Sequence, residues 1–127
     1  MTPDPVRQFL RHSVATLAYR TAKALRDAPA GFADYCPYES SRSAGQVLAH
    51  MGDLFDWALS MAQGNVRRNN ATPRPWPEES ARFFTALTAF DQYLASDEPL
   101  HGSAEVLLQG PVEIGRASCR ERVCVPV

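Results

Sequence analysis

Apolar side chains recur at helical spacing in three long segments of this chain, and no segment shows the strict alternation of a β-strand. The segments run from about Pro5 to Asp27, from Ser43 to Gly64 and from about Pro77 to the turn at 96–102. Their apolar stripes are Val6, Phe9, Leu10, Val14, Leu17, Thr21, Ala24 and Leu25; then Val47, Leu48, Met51, Leu54, Phe55, Ala58, Met61 and Ala62; then Phe83, Phe84, Leu87, Phe90 and Leu94. Amphipathic helices of this length, joined by loops of ordinary length, predict an antiparallel helical bundle.

Residues at the ends of these segments support the helix assignments. Ser43 followed by Gln46 is a capping box, in which each side chain satisfies a free backbone N–H. Gly64 is a plausible stop for the same helix. At the start of the third segment, Glu78 and Glu79 are placed to interact favourably with the helix dipole.

A short fourth segment follows, so the predicted fold class is an all-α, antiparallel four-helix bundle with the last helix incomplete. Ser103 can cap a helix over Ala104–Gln109, which Gly110 and Pro111 then interrupt. A bundle lacking its last helix would leave an apolar groove open, and exposed apolar surface of that kind favours a homodimer.

The segment from Ile114 to Val127 differs from the rest of the chain. Its first ten residues, IGRASCRERV, match the translation of a sequencing-library adapter. We therefore expect residues 1–112 to form a truncated bundle and residues 113–127 to be a non-native tail, which fold reasoning should exclude. The alternative is a natural basic tail.

Composition and charge indicate which partners the protein has and in which cellular compartment it works. The net charge is −1, which gives no electrostatic indication of a nucleic-acid partner. No apolar run approaches the length of a membrane helix, and the polar start of the chain has no secretory signal. Outside the tail Cys36 is the one cysteine, which fits a reducing cytoplasm. We therefore predict a cytoplasmic protein with neither a nucleic-acid nor a membrane partner.

Two other features predict contacts between segments. The loop over residues 31–42 contains Phe32, Tyr35 and Tyr38, which suggests that it packs across a bundle end. Asp91 lies close to the apolar stripe of the third segment, where a carboxylate needs a partner such as an arginine or a helix cap.

His50 is the side chain with the strongest case for chemistry. It falls at the border of the second stripe, whereas His12 and His101 fall at positions expected to face solvent. His50 and Asp53, three residues apart, could supply a metal ligand and its hydrogen-bonded orienter. The alternatives are a hydrogen-bonded boundary histidine and a solvated acidic helix face. The sequence contains no recognisable catalytic motif, so the catalytic residues stay unknown and no organic cofactor site is predicted.

Four runs in this order resemble the DinB-like proteins, bacterial four-helix bundles related to metal-binding, thiol-dependent transferases. The runs are RHSVATLAYRTAKALRDAPAGF, AGQVLAHMGDLFDWALSMAQG, PWPEESARFFTALTAFDQYLAS and AEVLLQGPV. The resemblance implies that His50 matches one of three ligands to a divalent metal, Zn or Ni. It places the other ligands, usually histidines, on a later helix beyond the point where the adapter-like tail begins.

Two functions follow as hypotheses. In the first, the intact protein is a metal-dependent enzyme that transfers a small thiol or hydrolyses a small-molecule substrate, and this fragment is inactive and holds no metal. In the second, it is a non-catalytic, dimeric helical bundle that binds an apolar ligand or has a stress-associated role.

Overall fold

The computed structural model describes residues 4–68 and 72–102, which form three α-helices and one short 3-10 helix. The α-helices are α1 (Pro5–Leu25), α2 (Ala44–Ala62) and α3 (Trp76–Ala95), and the 3-10 helix is Phe32–Asp34. The described residues contain no strand, which confirms the all-α prediction. The helix bounds lie within two residues of those predicted.

The predicted capping box of α2 is present. The Ser43 hydroxyl accepts a hydrogen bond from the Gln46 N–H at 3.2 Å, and the Ser43 N–H donates to Gln46 Oε1 at 2.8 Å. Gly64 follows α2 with a φ of +78°, a left-handed conformation that favours glycine. At the start of α1, Asp4 Oδ1 accepts from the Val6 N–H at 2.9 Å. Local sequence therefore determines where these helices begin and end.

The core lies mainly between α2 and α3. The Phe55 ring sits 5.5 Å from Phe83 and 6.1 Å from Phe90, measured between ring centroids, and all three side chains are fully buried. Burying side chains of this size contributes about 1.5–3 kcal/mol each. The predicted stripes of α2 and α3 are buried, except for Phe84, which is half-buried.

The stripe predicted for α1 is only partly buried. Leu10, Val14 and Thr21 are buried, while Val6 is 37% exposed and Phe9 is 55% exposed. Part of the predicted apolar stripe of α1 is therefore not covered by the other described helices. The open apolar groove stays a prediction.

α2 and α3 begin at the same end of the bundle. The Ala44 N–H donates to the Tyr35 carbonyl at 2.9 Å, so the loop before α2 lies against its first turn. Phe32 of the same loop packs edge-on against Trp76, the first residue of α3, with 5.4 Å between ring centroids. These contacts also confirm that the aromatic loop packs across a bundle end.

The two helices also end together, which corrects the antiparallel arrangement predicted for this pair. The His101 N–H, just after α3, donates to the carbonyl of Ala62, the last residue of α2, at 2.9 Å. A 19-residue helix is about 28 Å long, and a segment of 13 residues can span about 40 Å, so a connector of this length is long enough to join the two parallel helices. The prediction failed because periodicity does not reveal the path of a connector.

α1 runs in the opposite direction to α3. Arg11 Nε donates to Asp91 Oδ1 at 3.0 Å, which confirms that Asp91 pairs with an arginine. Arg7 Nη1 donates to the carbonyls of Leu94 at 3.2 Å and Ser96 at 2.9 Å, at the C-terminal end of α3. A cation that satisfies these terminal carbonyls also interacts favourably with the helix dipole.

Several predictions lie outside the described residues. They are the fourth segment Ala104–Gln109, the non-native tail 113–127 and the domain boundary at residue 112. The four-helix count therefore stays a prediction. No helix among the described residues is long and apolar enough to cross a membrane.

We predict that Arg7→Ala destabilises the fold by about 1–3 kcal/mol, because it leaves carbonyls at the end of α3 without a donor. The measurement is the free energy of unfolding from urea denaturation. Arg20→Ala, an exposed position on the same helix, is the matched control and should change stability little. Equal losses for the two variants would contradict the capping role.

Candidate functional site

His50 lies near the middle of α2 and is half-buried, as predicted for a stripe border. The other two histidines are exposed, also as predicted. The ring of His101 nevertheless lies against Gly64. A Cβ added to that glycine would be 2.8 Å from Cγ of the ring. Among the described histidines, His50 is thus the one whose imidazole is partly shielded from water.

Asp53, one turn after His50, is buried rather than solvated. Asp53 is 5% exposed, and its Oδ1 accepts a hydrogen bond from Arg82 Nη1 of α3 at 3.1 Å. The alternative of a solvated acidic face is therefore wrong for Asp53. Its carboxylate has a structural partner, while its proposed role in orienting His50 stays a prediction.

Arg82 joins four groups at the contact between α2 and α3. Its Nε donates to Glu79 Oε1 at 2.5 Å, and its Nη2 donates to the Ala49 carbonyl at 2.7 Å. Its Nη1 serves both Asp53 and Asp56, the latter at 3.5 Å. We call Asp53, Asp56, Glu79 and Arg82 the Arg82 cluster. A half-buried arginine with this many acceptors satisfies most of its donors, which offsets its loss of hydration.

Glycine makes room for the guanidinium on α2. A Cβ at Gly52 would lie 3.1 Å from Arg82 Cζ, closer than side chains normally pack. Gly52 is therefore a close-approach position, although glycine inside a helix lowers helix stability. The isolated glycine in the middle of α2 was the sequence signal for this contact.

Glu79 lies in the first turn of α3, as predicted, and has a second role as well. It is 1% exposed, and its Oε2 accepts a hydrogen bond from the Arg74 N–H at 2.7 Å while Oε1 pairs with Arg82. The expected dipole interaction requires only a carboxylate in the first turn of a helix, whether exposed or buried. The sequence pattern could not show that this carboxylate is buried with an arginine one turn later.

Three carboxylates share one guanidinium in the Arg82 cluster, and this imbalance affects Asp56. Burial raises the pKa of Asp56 above its ordinary value of 3.8; Arg82 lowers it, Asp53 raises it and Arg67 lowers it, and the net shift is upward. The pKa of Arg82 is raised as well: burial lowers it, but the hydrogen bonds and charges of Glu79 and Asp53 outweigh burial. The cluster therefore keeps its cation, and Asp56 gives up its proton less readily than an exposed aspartate.

The described residues do not by themselves form a metal centre. Within residues 4–68 and 72–102, no group of three or more His, Cys, Asp or Glu side chains is placed to hold a metal ion. A tightly bound zinc needs three or four ligands. His50 supplies one imidazole, and the carboxylates of the Arg82 cluster already pair with a cation. A complete set of ligands that includes His50 would therefore need at least one residue from outside the described part of the chain.

A scan against protein-family models and searches of the curated proteins and of the solved structures found no match to this chain. The DinB-like resemblance therefore stays a prediction.

We predict that Arg82→Met destabilises the fold by about 3–5 kcal/mol, because it leaves the buried charges of Asp53 and Glu79 without a cation. Urea denaturation gives the free energy of unfolding, and Arg20→Met is the matched control for removing an exposed arginine. A loss no larger than that of the control would contradict the importance of the Arg82 cluster.

A second prediction concerns pH. The pKa of Asp56 is higher in the folded state than its ordinary value of 3.8, so folding favours the protonated carboxyl. Its contribution to stability is therefore most favourable below pH 3.8 and is lost as pH rises through the folded-state pKa. Asp56→Asn should therefore be more stable relative to the parent at pH 7 than at pH 3. Thermal unfolding at both pH values checks this, with Asp97→Asn as the control for losing an exposed charge. If the stability of Asp56→Asn relative to the parent were greater at pH 3 than at pH 7, the raised pKa would be contradicted.

Proposed function

We propose that this chain is a DinB-like helical bundle and that His50 is one ligand of a divalent metal, Zn or Ni, in the intact protein. What supports the proposal most is the place of His50: a half-buried imidazole in the middle of α2, the most extensively buried of the described helices. A partly shielded imidazole has fewer competing water contacts than an exposed one, and neutral imidazole is a common ligand for both metals.

Under this proposal the intact protein is an enzyme that acts on a small molecule, by thiol transfer or by hydrolysis. When bound, the metal would polarise the substrate or lower the pKa of a bound water or thiol. The chain's own contribution is to hold the imidazole at a fixed place on α2. The Arg82 cluster serves this end by joining α2 to α3 within one turn of His50.

A second candidate is a non-catalytic, dimeric bundle that binds an apolar ligand. The exposed side chains of Val6 and Phe9 on α1 support it, because contiguous exposed apolar surface often marks an interaction site. In this alternative His50 is a structural residue at the border of the core.

We predict that His50→Ala removes divalent-metal binding from the intact protein. The measurement is a titration with Co²⁺, whose visible absorption reports coordination by protein ligands, followed by competition with Zn²⁺. His12→Ala, an exposed histidine on α1, is the matched control and should keep full binding. If His50→Ala binds metal like the parent and changes only stability, the metal proposal is wrong and the binding bundle is favoured.

A further inference from the structure

The connector after α2 presents an unusual concentration of positive charge. Residues 57–77 contain three arginines and neither an acidic residue nor a lysine. Arg67 and Arg68 are adjacent and exposed. Exposed arginines are normally mobile and solvated, so the question is whether the fold holds these two in place.

A buried hydroxyl holds the backbone at this point. Ser60 of α2 is 1% exposed; its Oγ accepts a hydrogen bond from the Arg67 N–H at 2.9 Å and donates to the Trp57 carbonyl at 2.7 Å. The start of the connector is therefore attached to the last turns of α2. This attachment determines where the side chains of Arg67 and Arg68 emerge.

The side chain of Arg68 is ordered as well. Its guanidinium carbon lies 4.8 Å from the centroid of the Trp57 ring, in a cation–π contact. Stacking uses the face of a guanidinium and leaves the N–H groups at its edge able to bind a carboxylate or phosphate in a bidentate manner. The contact with Trp57 therefore restricts where the guanidinium of Arg68 lies.

Within residues 4–68 and 72–102, neither arginine has a carboxylate partner. The ion pairs of this part of the chain involve Arg7, Arg11 and Arg82, and none joins Arg67 or Arg68 to an acid. Asp56 is the nearby carboxylate: the positive charge of Arg67 lowers its pKa, although burial outweighs that effect. Asp56 is instead within 3.5 Å of Arg82.

We infer that Arg67 and Arg68, placed by Ser60 and Trp57, form a binding site for the anionic group of a small molecule, a carboxylate or a phosphate. Two exposed arginines that are neighbours in the sequence favour an anion over a neutral ligand. A guanidinium also carries parallel donors that match a planar or tetrahedral oxyanion. This site goes beyond the proposed metal function and does not depend on it.

The test is calorimetric titration of the full chain with inorganic phosphate and, separately, with succinate, at constant ionic strength and in the presence of EDTA. The parent should bind at least one of the two anions saturably, with one site per chain. Binding of phosphate alone indicates a phosphoryl ligand, and binding of succinate alone indicates a carboxylate ligand.

Arg68→Gln should weaken that binding by about tenfold or more, the effect of losing a hydrogen bond to a charged group. Arg68→Lys keeps the charge but loses the bidentate donors, so it should recover only part of the affinity. Arg20→Gln is the matched control for one exposed positive charge and should bind like the parent. Circular dichroism of each variant verifies that the helices are intact.

Failure of this site is distinguishable from failure of the metal proposal. His50→Ala should bind the anion like the parent, whether or not His50 is a metal ligand. The inference is overturned if neither anion binds saturably, or if Arg20→Gln weakens binding as much as Arg68→Gln does.

Discussion

The contact of Arg82 with α2 is the interaction on which the described structure depends most. α2 and α3 run in the same direction and meet through Phe55, Phe83 and Phe90, whose packing is apolar and has little directional preference. The guanidinium adds direction, because it must reach Asp53 and the Ala49 carbonyl at the same time. A shift of one helix along the other by a single turn would separate these groups and leave buried charges unpaired.

The same contact shapes the neighbouring chemistry. Gly52 leaves space for the guanidinium, and Glu79 connects it to the backbone of the connector through the Arg74 N–H. Asp56 is the carboxylate of the cluster with the longest contact to the cation, and burial raises its pKa more than Arg82 lowers it. His50 lies one turn from this cluster, so the contact between α2 and α3 also positions His50. The carboxylates of the cluster are paired with Arg82.

The connector between α2 and α3 has more than a topological role. Because the two helices are parallel, the chain must get back from the end of α2 to the start of α3. Ser60 holds the backbone of Arg67, and Trp57 contacts the guanidinium of Arg68. These two residues of the connector thereby acquire a position relative to α2. The hypothesis of an anion site rests on this position, whereas the metal hypothesis rests on His50 and on the resemblance to DinB-like proteins.

The sequence by itself determined the helices, their caps and much of their buried faces, because periodicity, Ser43 with Gln46, and Gly64 act over a few residues. It also indicated that Asp91 needs a cation and that His50 lies at a stripe border. It could not show that α2 and α3 are parallel, that Asp53 and Glu79 are buried, or that Arg7, Arg11 and Arg82 take different partners. Those outcomes depend on which helices meet and in which direction, and such contacts between distant residues exist only in the tertiary structure.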